Sequence, residues 1–166
     1  MIVRVPSRLG VIPFEFEGER LLRVWLPNSA EAAPGGLVID GDTVSGGLPA
    51  WVAALARDIQ DYARGRDIDL NPWAQRVDLS GQPPFYRRVY EALLQVRRGE
   101  TRTYGELAAA AGSPGAARAV GSAMAANDVP LVIPCHRVVA TGGLGGYGGG
   151  LDLKRRLLAL EGALHG

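Results

Sequence analysis

The stretch Leu131–Gly150, LVIPCHRVVATGGLGGYGGG, holds the one cysteine of the chain, Cys135, followed directly by His136 and Arg137. A thiol of ordinary pKa is only a few per cent thiolate at neutral pH. A nearby histidine, arginine or helix N-terminus can lower that pKa and supply a nucleophile. Cys135-His136-Arg137 offers such neighbours. Adjacent side chains on extended backbone point to opposite faces, so pairing Cys135 with His136 requires a turn or a bridging water. A histidine acting as base also needs a partner to orient it, and the acid beyond the start of the last helical segment is Glu161. The bland alternative is that a lone cysteine is a small buried hydrophobe. One cysteine and two histidines make neither an internal disulfide nor a multi-cysteine zinc site. No metal and no cofactor are expected.

The glycine-rich run GGLGGYGGG lacks the Lys-Ser/Thr of a phosphate-binding loop, and no strand–GxGxxG–helix unit is evident. It reads either as a flexible loop or as backbone that comes close to a flat ligand, with Tyr147 as a stacking wall. Upstream, TYGE forms a capping box in which Thr103 caps a helix and Glu106 reaches back. A second helix is expected from Ser113 as cap and Pro114 as first residue to about Ala126, with Asn127 in its C-terminal turn. The pair 103–111 and 114–126 has the spacing of a helix-turn-helix, a generic signal on its own. Its second helix is rich in alanine and glycine, and Arg118 is the one long side chain in its middle. It suits either close packing or approach to a narrow surface such as a minor groove.

The remaining elements must hold these residues. IVRV, GVIPFEF and RLLRVWL read as strands, with EGER turning between the last two. Residues 28–49 form a polar connection. Residues 49–65 read as a helix with apolar positions 52, 55, 59 and 62, closed by Gly65. WAQRVDL (73–79) reads as a further strand, and SGQPP (80–84) as a linker. FYRRVYEALLQVRRG puts Phe85, Val89, Leu93 and Val96 on one helical face and ends at Gly99. LDLKRRLLALEG places Leu153, Leu157, Leu160 and Leu164 on one stripe. The expected fold is α/β (α+β): a small N-terminal antiparallel sheet with a helix, residues 1–80, and a helical C-terminal domain with a helix-turn-helix, residues 81–166.

The chain has 166 residues and 47% hydrophobic content, enough for a real core. Its net charge of +1 is split unevenly. Residues 1–85 carry 8 arginines against 11 acids (net −3), and residues 86–166 carry 10 basic residues against 6 acids (net +4). The thiol lies in the basic half, which can meet phosphate. No apolar run approaches the roughly 20 residues that span a bilayer, and the N-terminus does not read as a signal peptide. A soluble, cytoplasmic protein without membrane contact is expected.

Taken in order, these motifs resemble the O6-alkylguanine-DNA alkyltransferases, single-use DNA-repair proteins. IPCHRVV (133–139) looks like their active-site motif, GETRTYGELA like the entry to their first DNA-binding helix, and SPGAARAVGSAMAANDVPL like their recognition helix and asparagine hinge. GYGGG and LLALEG follow at the family's spacing, PSRLGVIPF resembles its opening strand pair, and Tyr90 stands where the family often has tryptophan. The resemblance covers about 80 residues closely, and residues 28–80 show no matching motif.

The resemblance implies a role for each motif residue. Cys135 would take the alkyl group from O6 of guanine, with O4 of thymine as a second candidate. His136 would take the thiol proton through a water, Glu161 would orient the imidazole, and Asn127 would brace the turn. Arg118 would enter the duplex to fill the gap left by a flipped nucleotide, and Tyr104 would push the adjacent phosphate. Ala116, Ala117, Ala119 and Gly121 would face the minor groove. Met124 and Tyr147 would wall the pocket, and backbone near Val138 and Gly148 would read the guanine edge. The implied partner is double-stranded DNA containing O6-alkylguanine, bound by a monomer, with cooperative binding left open. Cys135 argues against the alkyltransferase-like members that replace this cysteine. A cysteine hydrolase and a plain helix-turn-helix regulator remain the alternatives from other classes.

Overall fold

The computed structural model describes residues 1–27, 29, 35–39 and 47–164. Strands β1 (Ile2–Val5), β2 (Ile12–Glu17) and β3 (Arg20–Val24) form an antiparallel meander, and β4 (Leu37–Val38) adds a parallel edge beside β1, giving the order β3-β2-β1-β4. The β2–β3 turn holds Gly18 at φ +57°, a conformation that costs glycine little. Period-two alternation buries Val3, Val5, Ile12, Phe14 and Phe16. Helix α1 (Ala50–Ala63) joins this core through Val52, Leu55, Ile59 and Tyr62, the four positions its spacing predicts. It stops at Gly65, at φ +80°, whose N–H returns to the carbonyl of Tyr62. Most of the connection expected over 28–49 lies outside the described residues, but Leu37–Val38 within it is a strand.

The strand expected over 73–79 is absent. Asn71–Arg76 is instead a 3₁₀ helix, started by Pro72 and by the Asn71 N–H donating to the Asp69 carboxylate. Its Trp73 packs against Trp51 and donates to Asp58, so the aromatic residue that suggested a strand serves helix packing. Helix α2 (Pro84–Leu93) starts at the expected Pro-Pro boundary but ends six residues before Gly99, in turns closed by 3₁₀-type bonds from Gln95 and Val96. Val89, Leu93 and Val96 are buried and Phe85 partly so.

Strand β5 (Arg102–Thr103) leads into helix α3 (Tyr104–Ala110), and both halves of the Thr103–Glu106 capping box are present. Helix α4 (Ala117–Ala125) starts three residues later than expected, with Ala116 at its cap. The cause is Gly115, at φ +90°, which breaks helical geometry between Pro114 and Ala117. Ser113 therefore accepts from Ala116 through its carbonyl and does not cap the helix with its side chain. Strand β6 (Val138–Val139) pairs in parallel with β5. Helix α5 (Leu151–Leu160) buries Leu157 and Leu158, leaves Leu153, Leu160 and Leu164 partly covered, and also buries Lys154. No described helix is long and apolar enough to cross a membrane.

The capping box satisfies the first turn of α3, so Thr103→Ala is expected to cost about 1 kcal/mol. For a chain of this size that lowers the melting temperature by about 2–4 °C. Thermal unfolding followed by circular dichroism checks it, and an unchanged melting temperature would show that packing alone sets the helix start.

Candidate active site

Pro134 (φ −83°, ψ 66°) makes an inverse γ-turn, and the Cys135 N–H donates to the Ile133 carbonyl at 2.8 Å. One 3₁₀ turn over Cys135–Arg137 follows. At three residues per turn, successive side chains diverge by about a third of a circle. Cys135 therefore faces a cavity, while His136 and Arg137 turn inward toward Glu161. The segment is a turn and not a strand, and among the described residues no hydrogen bond joins Cys135 to His136.

His136 is fully buried, and its Nε2 lies 2.7 Å from Glu161 Oε2. Its Nδ1 is buried without a hydrogen-bond partner among the described residues. Glu161 caps the C-terminal end of α5 and carries the charge of this centre. Its Oε1 accepts from Arg137 Nε at 2.8 Å, and its Oε2 from Arg137 Nη2 at 3.1 Å and the Tyr62 hydroxyl at 2.5 Å. Burial pushes this carboxyl up, but the hydrogen bonds and charges of His136 and Arg137 outweigh it and bring its pKa down to about 2. Arg137 also reaches Asp69 at 3.3 Å, Asn71 at 3.2 Å and the Val96 carbonyl at 2.9 Å.

Burial raises the Cys135 thiol above its ordinary range, and Asn127, the local backbone, Lys154 and Tyr147 only partly offset it. Arg137, two residues on, does not activate it, because it is committed to Glu161 and Asp69. The resting group is thus a thiol that needs a base. Asn127 braces the turn ahead of it. Its Nδ2 donates to the Ile133 carbonyl at 2.9 Å, and its Oδ1 accepts from the Val129 N–H at 3.0 Å. Within that turn Leu131 has φ +74°, the one non-glycine residue with positive φ among those described.

Cys135 opens into a mostly apolar cavity of about 600 Å³. Ala117, Arg118, Gly121 and Met124 of α4 form one wall, and Tyr104, Gly146, Tyr147 and Gly148 form the other. Burial lifts the Tyr147 hydroxyl well above its usual pKa. That hydroxyl interacts electrostatically with the thiol, though no hydrogen bond of ordinary geometry closes between them. Arg118 is exposed and Ala116 and Ala119 are half-exposed, so α4 presents small residues beside one long cation. Val138 lies apart from the cavity lining, fully buried, and its carbonyl accepts from Lys154 Nζ at 2.6 Å. Among the described residues no group of three potential ligands could hold a metal.

Sequence reasoning missed Tyr62, Asp69, Asn71 and Lys154, and it offered Arg137 as a neighbour of the thiol where the structure pairs it with Glu161. Arg137 and Lys154 sit inside segments already singled out, and a buried charge is invisible without coordinates. Tyr62 did fall on the buried stripe of α1, but its partner lies 99 residues away. Leu26, from the chain just after β3, also lines the cavity.

Fold and site define the class, a helix-turn-helix protein whose thiol opens beneath the second helix. Residues 84–163 match the family model described as 6-O-methylguanine DNA methyltransferase, DNA binding domain. A methylated-DNA–protein-cysteine methyltransferase of Mycolicibacterium paratuberculosis is 54% identical over 114 residues, 68% of this chain and 67% of the relative. That of Metallosphaera sedula is 35% identical over 158 residues, 95% of this chain and 90% of the relative. The Mycobacterium tuberculosis OGT, solved in complex with DNA, superposes with a TM-score of 0.75 at 34% identity, covering 98% of this chain and 92% of that one. The chain belongs to the methylated-DNA–protein-cysteine methyltransferase family.

The depressed pKa of Glu161 makes a stability prediction. Above about 4.5 the carboxyl is ionised in both folded and unfolded chains, and its full contribution is present. As the pH falls from there toward 2, the unfolded chain takes a proton that the folded one refuses, so stability is lost across that window. The loss is on the order of 3 kcal/mol. Glu161→Gln should start less stable at neutral pH and show a shallower decline over the same window in urea melts. Parallel declines would place the acid sensitivity elsewhere.

Proposed function

We propose that this chain repairs DNA by moving an alkyl group from O6 of guanine in double-stranded DNA to Sγ of Cys135, once per molecule. One observation carries the reading. The one thiol of the chain lies at the base of an apolar cavity walled by the second helix of a helix-turn-helix, beside a histidine whose Nδ1 is unbonded. O4 of thymine is a second substrate position of the same chemistry. Residues 81–166 form the DNA-binding and transfer unit, residues 1–80 support it, and the protein acts as a cytoplasmic monomer.

The chemistry follows from the arrangement. His136 Nδ1 takes the thiol proton through a water, and Glu161 stabilises the imidazolium so formed. Sγ attacks the alkyl carbon in line. The C–S bond forms as the C–O6 bond breaks, the electron pair leaves with the base, and the proton returns to it to give guanine. The thiol pKa is raised, so this base is required for useful rates near neutral pH. The O6 substituent lies in the major groove, whereas a helix as bare as α4 suits the minor groove. The nucleotide must therefore rotate out of the stack, at a few kcal/mol that a lesion-weakened pair reduces. Tyr104 pushes the neighbouring phosphate, Arg118 fills the gap, and Ala116, Ala117, Ala119 and Gly121 allow close approach. A minor-groove reader discriminates sequence weakly, which suits a protein that must act anywhere.

Reaction should be stoichiometric, because a thioether is not cleaved by thiol exchange. Intact-mass measurement after mixing with alkylated-guanine duplex should show one alkyl group per chain, on Cys135. Cys135→Ala should bind the lesion without gaining mass. Repeated turnover without added mass would support a hydrolase, and binding alone a regulator.

Arg118→Ala should slow reaction with duplex DNA by at least about tenfold while leaving reaction with free O6-benzylguanine near the parent rate, because the free base needs no extrusion. Equal losses on both substrates would assign Arg118 to the pocket or the fold.

A further inference from the structure

Glu161 Oε2 faces two groups from opposite ends of the chain. His136 Nε2 lies 2.7 Å away, and the hydroxyl of Tyr62, on α1, donates to the same oxygen at 2.5 Å. Tyr62 is 1% exposed, so no solvent competes for this bond. We propose that Tyr62 is a positioning residue, whose hydroxyl fixes the lone pair that Glu161 offers to His136 and limits how much carboxylate charge the imidazole feels. This inference rests on the alkyl-transfer reading and adds the N-terminal helix to its proton-handling machinery.

The physical argument is competition at one acceptor. A carboxylate oxygen that already accepts a strong hydrogen bond is a weaker acceptor for the next donor. His136 must hold a proton briefly while the thiol attacks, then give it back. A Glu161 without the Tyr62 donor, with Arg137 still on Oε2, would hold the imidazolium more tightly, and a charged imidazole cannot take the thiol proton. Tyr62 moderates that hold and stays neutral itself. Burial, followed by the Glu161 charge and their hydrogen bond, keeps the phenol well above its usual pKa.

Other charges near the pair come from several elements. Arg137 shares Glu161 with it, and Asp69 shares Arg137. Arg98 lies over the Tyr62 ring at 5.5 Å. On the cavity side stand Cys135, Tyr147 and Lys154. Among the described residues Tyr62 and Arg137 meet Glu161 Oε2 beside His136, and Tyr62 is the one that can lose its donor without changing net charge.

The test uses the whole chain and free O6-benzylguanine, with benzyl transfer followed by intact mass from about pH 5 to about pH 8, where histidine titrates. Tyr62→Phe keeps the ring and removes the donor, so the acid limb of its rate profile should move up by about half to one pH unit. A 3-fluorotyrosine placed at position 62 keeps the hydroxyl, is a stronger donor, and should move the limb down. It retains the ring and the hydroxyl, and so gives a second readout where Tyr62→Phe is too unstable to assay. Opposite shifts support the inference, because a purely structural role would alter melting temperature without moving the limb. Superimposed profiles, or a limb that fails to move down with 3-fluorotyrosine, overturn it. A parent chain that takes no alkyl group at any pH from either free O6-benzylguanine or an O6-methylguanine duplex overturns the alkyl-transfer reading itself, and this inference falls with it.

Discussion

Everything near the thiol depends on the buried carboxylate of Glu161. A buried anion is costly unless it is paired and fully hydrogen-bonded. Here Arg137, Tyr62 and His136 supply four contacts to two oxygens. Arg137 is itself buried and must satisfy its other nitrogens, so it reaches Asp69, Asn71 and the Val96 carbonyl. One charge thus draws in α1, the 3₁₀ helix at Asn71–Arg76, the end of α2 and the C-terminus of α5. The N-terminal part of the chain is held to the thiol-bearing part by this network as well as by apolar packing. Val24 adds a backbone bond to the carbonyl of Asp128, next to the asparagine that braces the active turn.

The same arrangement explains a thiol that rests protonated. An apolar cavity disfavours the thiolate, and Lys154, the nearest opposing cation, spends its donors on the carbonyls of Val138 and Gly146. A single-use nucleophile benefits from this restraint, since a permanently ionised sulfur would react with other electrophiles and oxidants. His136 Nε2 is committed to Glu161, and its Nδ1 has no hydrogen-bond partner among the described residues.

Positioning is mechanical as well as electrostatic. The β5–β6 ladder joins the residue that caps α3 to the residues just after the active turn. The Tyr90 hydroxyl donates to the Ala123 carbonyl at 2.7 Å, fixing the depth of α4 over α2. Gly145 permits Tyr104 to lie where it does, since a Cβ there would come within 2.9 Å of the ring and hydroxyl. The cavity wall is therefore set by contacts outside the cavity.

Local signals were legible in the sequence. The strand alternation of β1 to β3, the α1 stripe, the Thr103–Glu106 box and the Cys-His-Arg motif all depend on residues a few positions apart, and they appear where the sequence places them. The misreadings share a cause too. Trp73 and Val77 suggested a strand, but Asp69 and Pro72 begin a 3₁₀ turn that packs on α1. Ser113 and Pro114 suggested a helix start, but Gly115 takes positive φ and delays it. In both cases a turn-forming residue beside the segment overrode its propensity. By itself the sequence determined the chemical inventory: one thiol, its histidine, a helix of small residues with one arginine, and a candidate acid. Only the tertiary structure decided which groups share that acid. Tyr62 and Arg137 meet it across 99 and 24 residues, and Asp69 meets Arg137 across 68; buried charges choose partners by proximity in space, which no local pattern encodes.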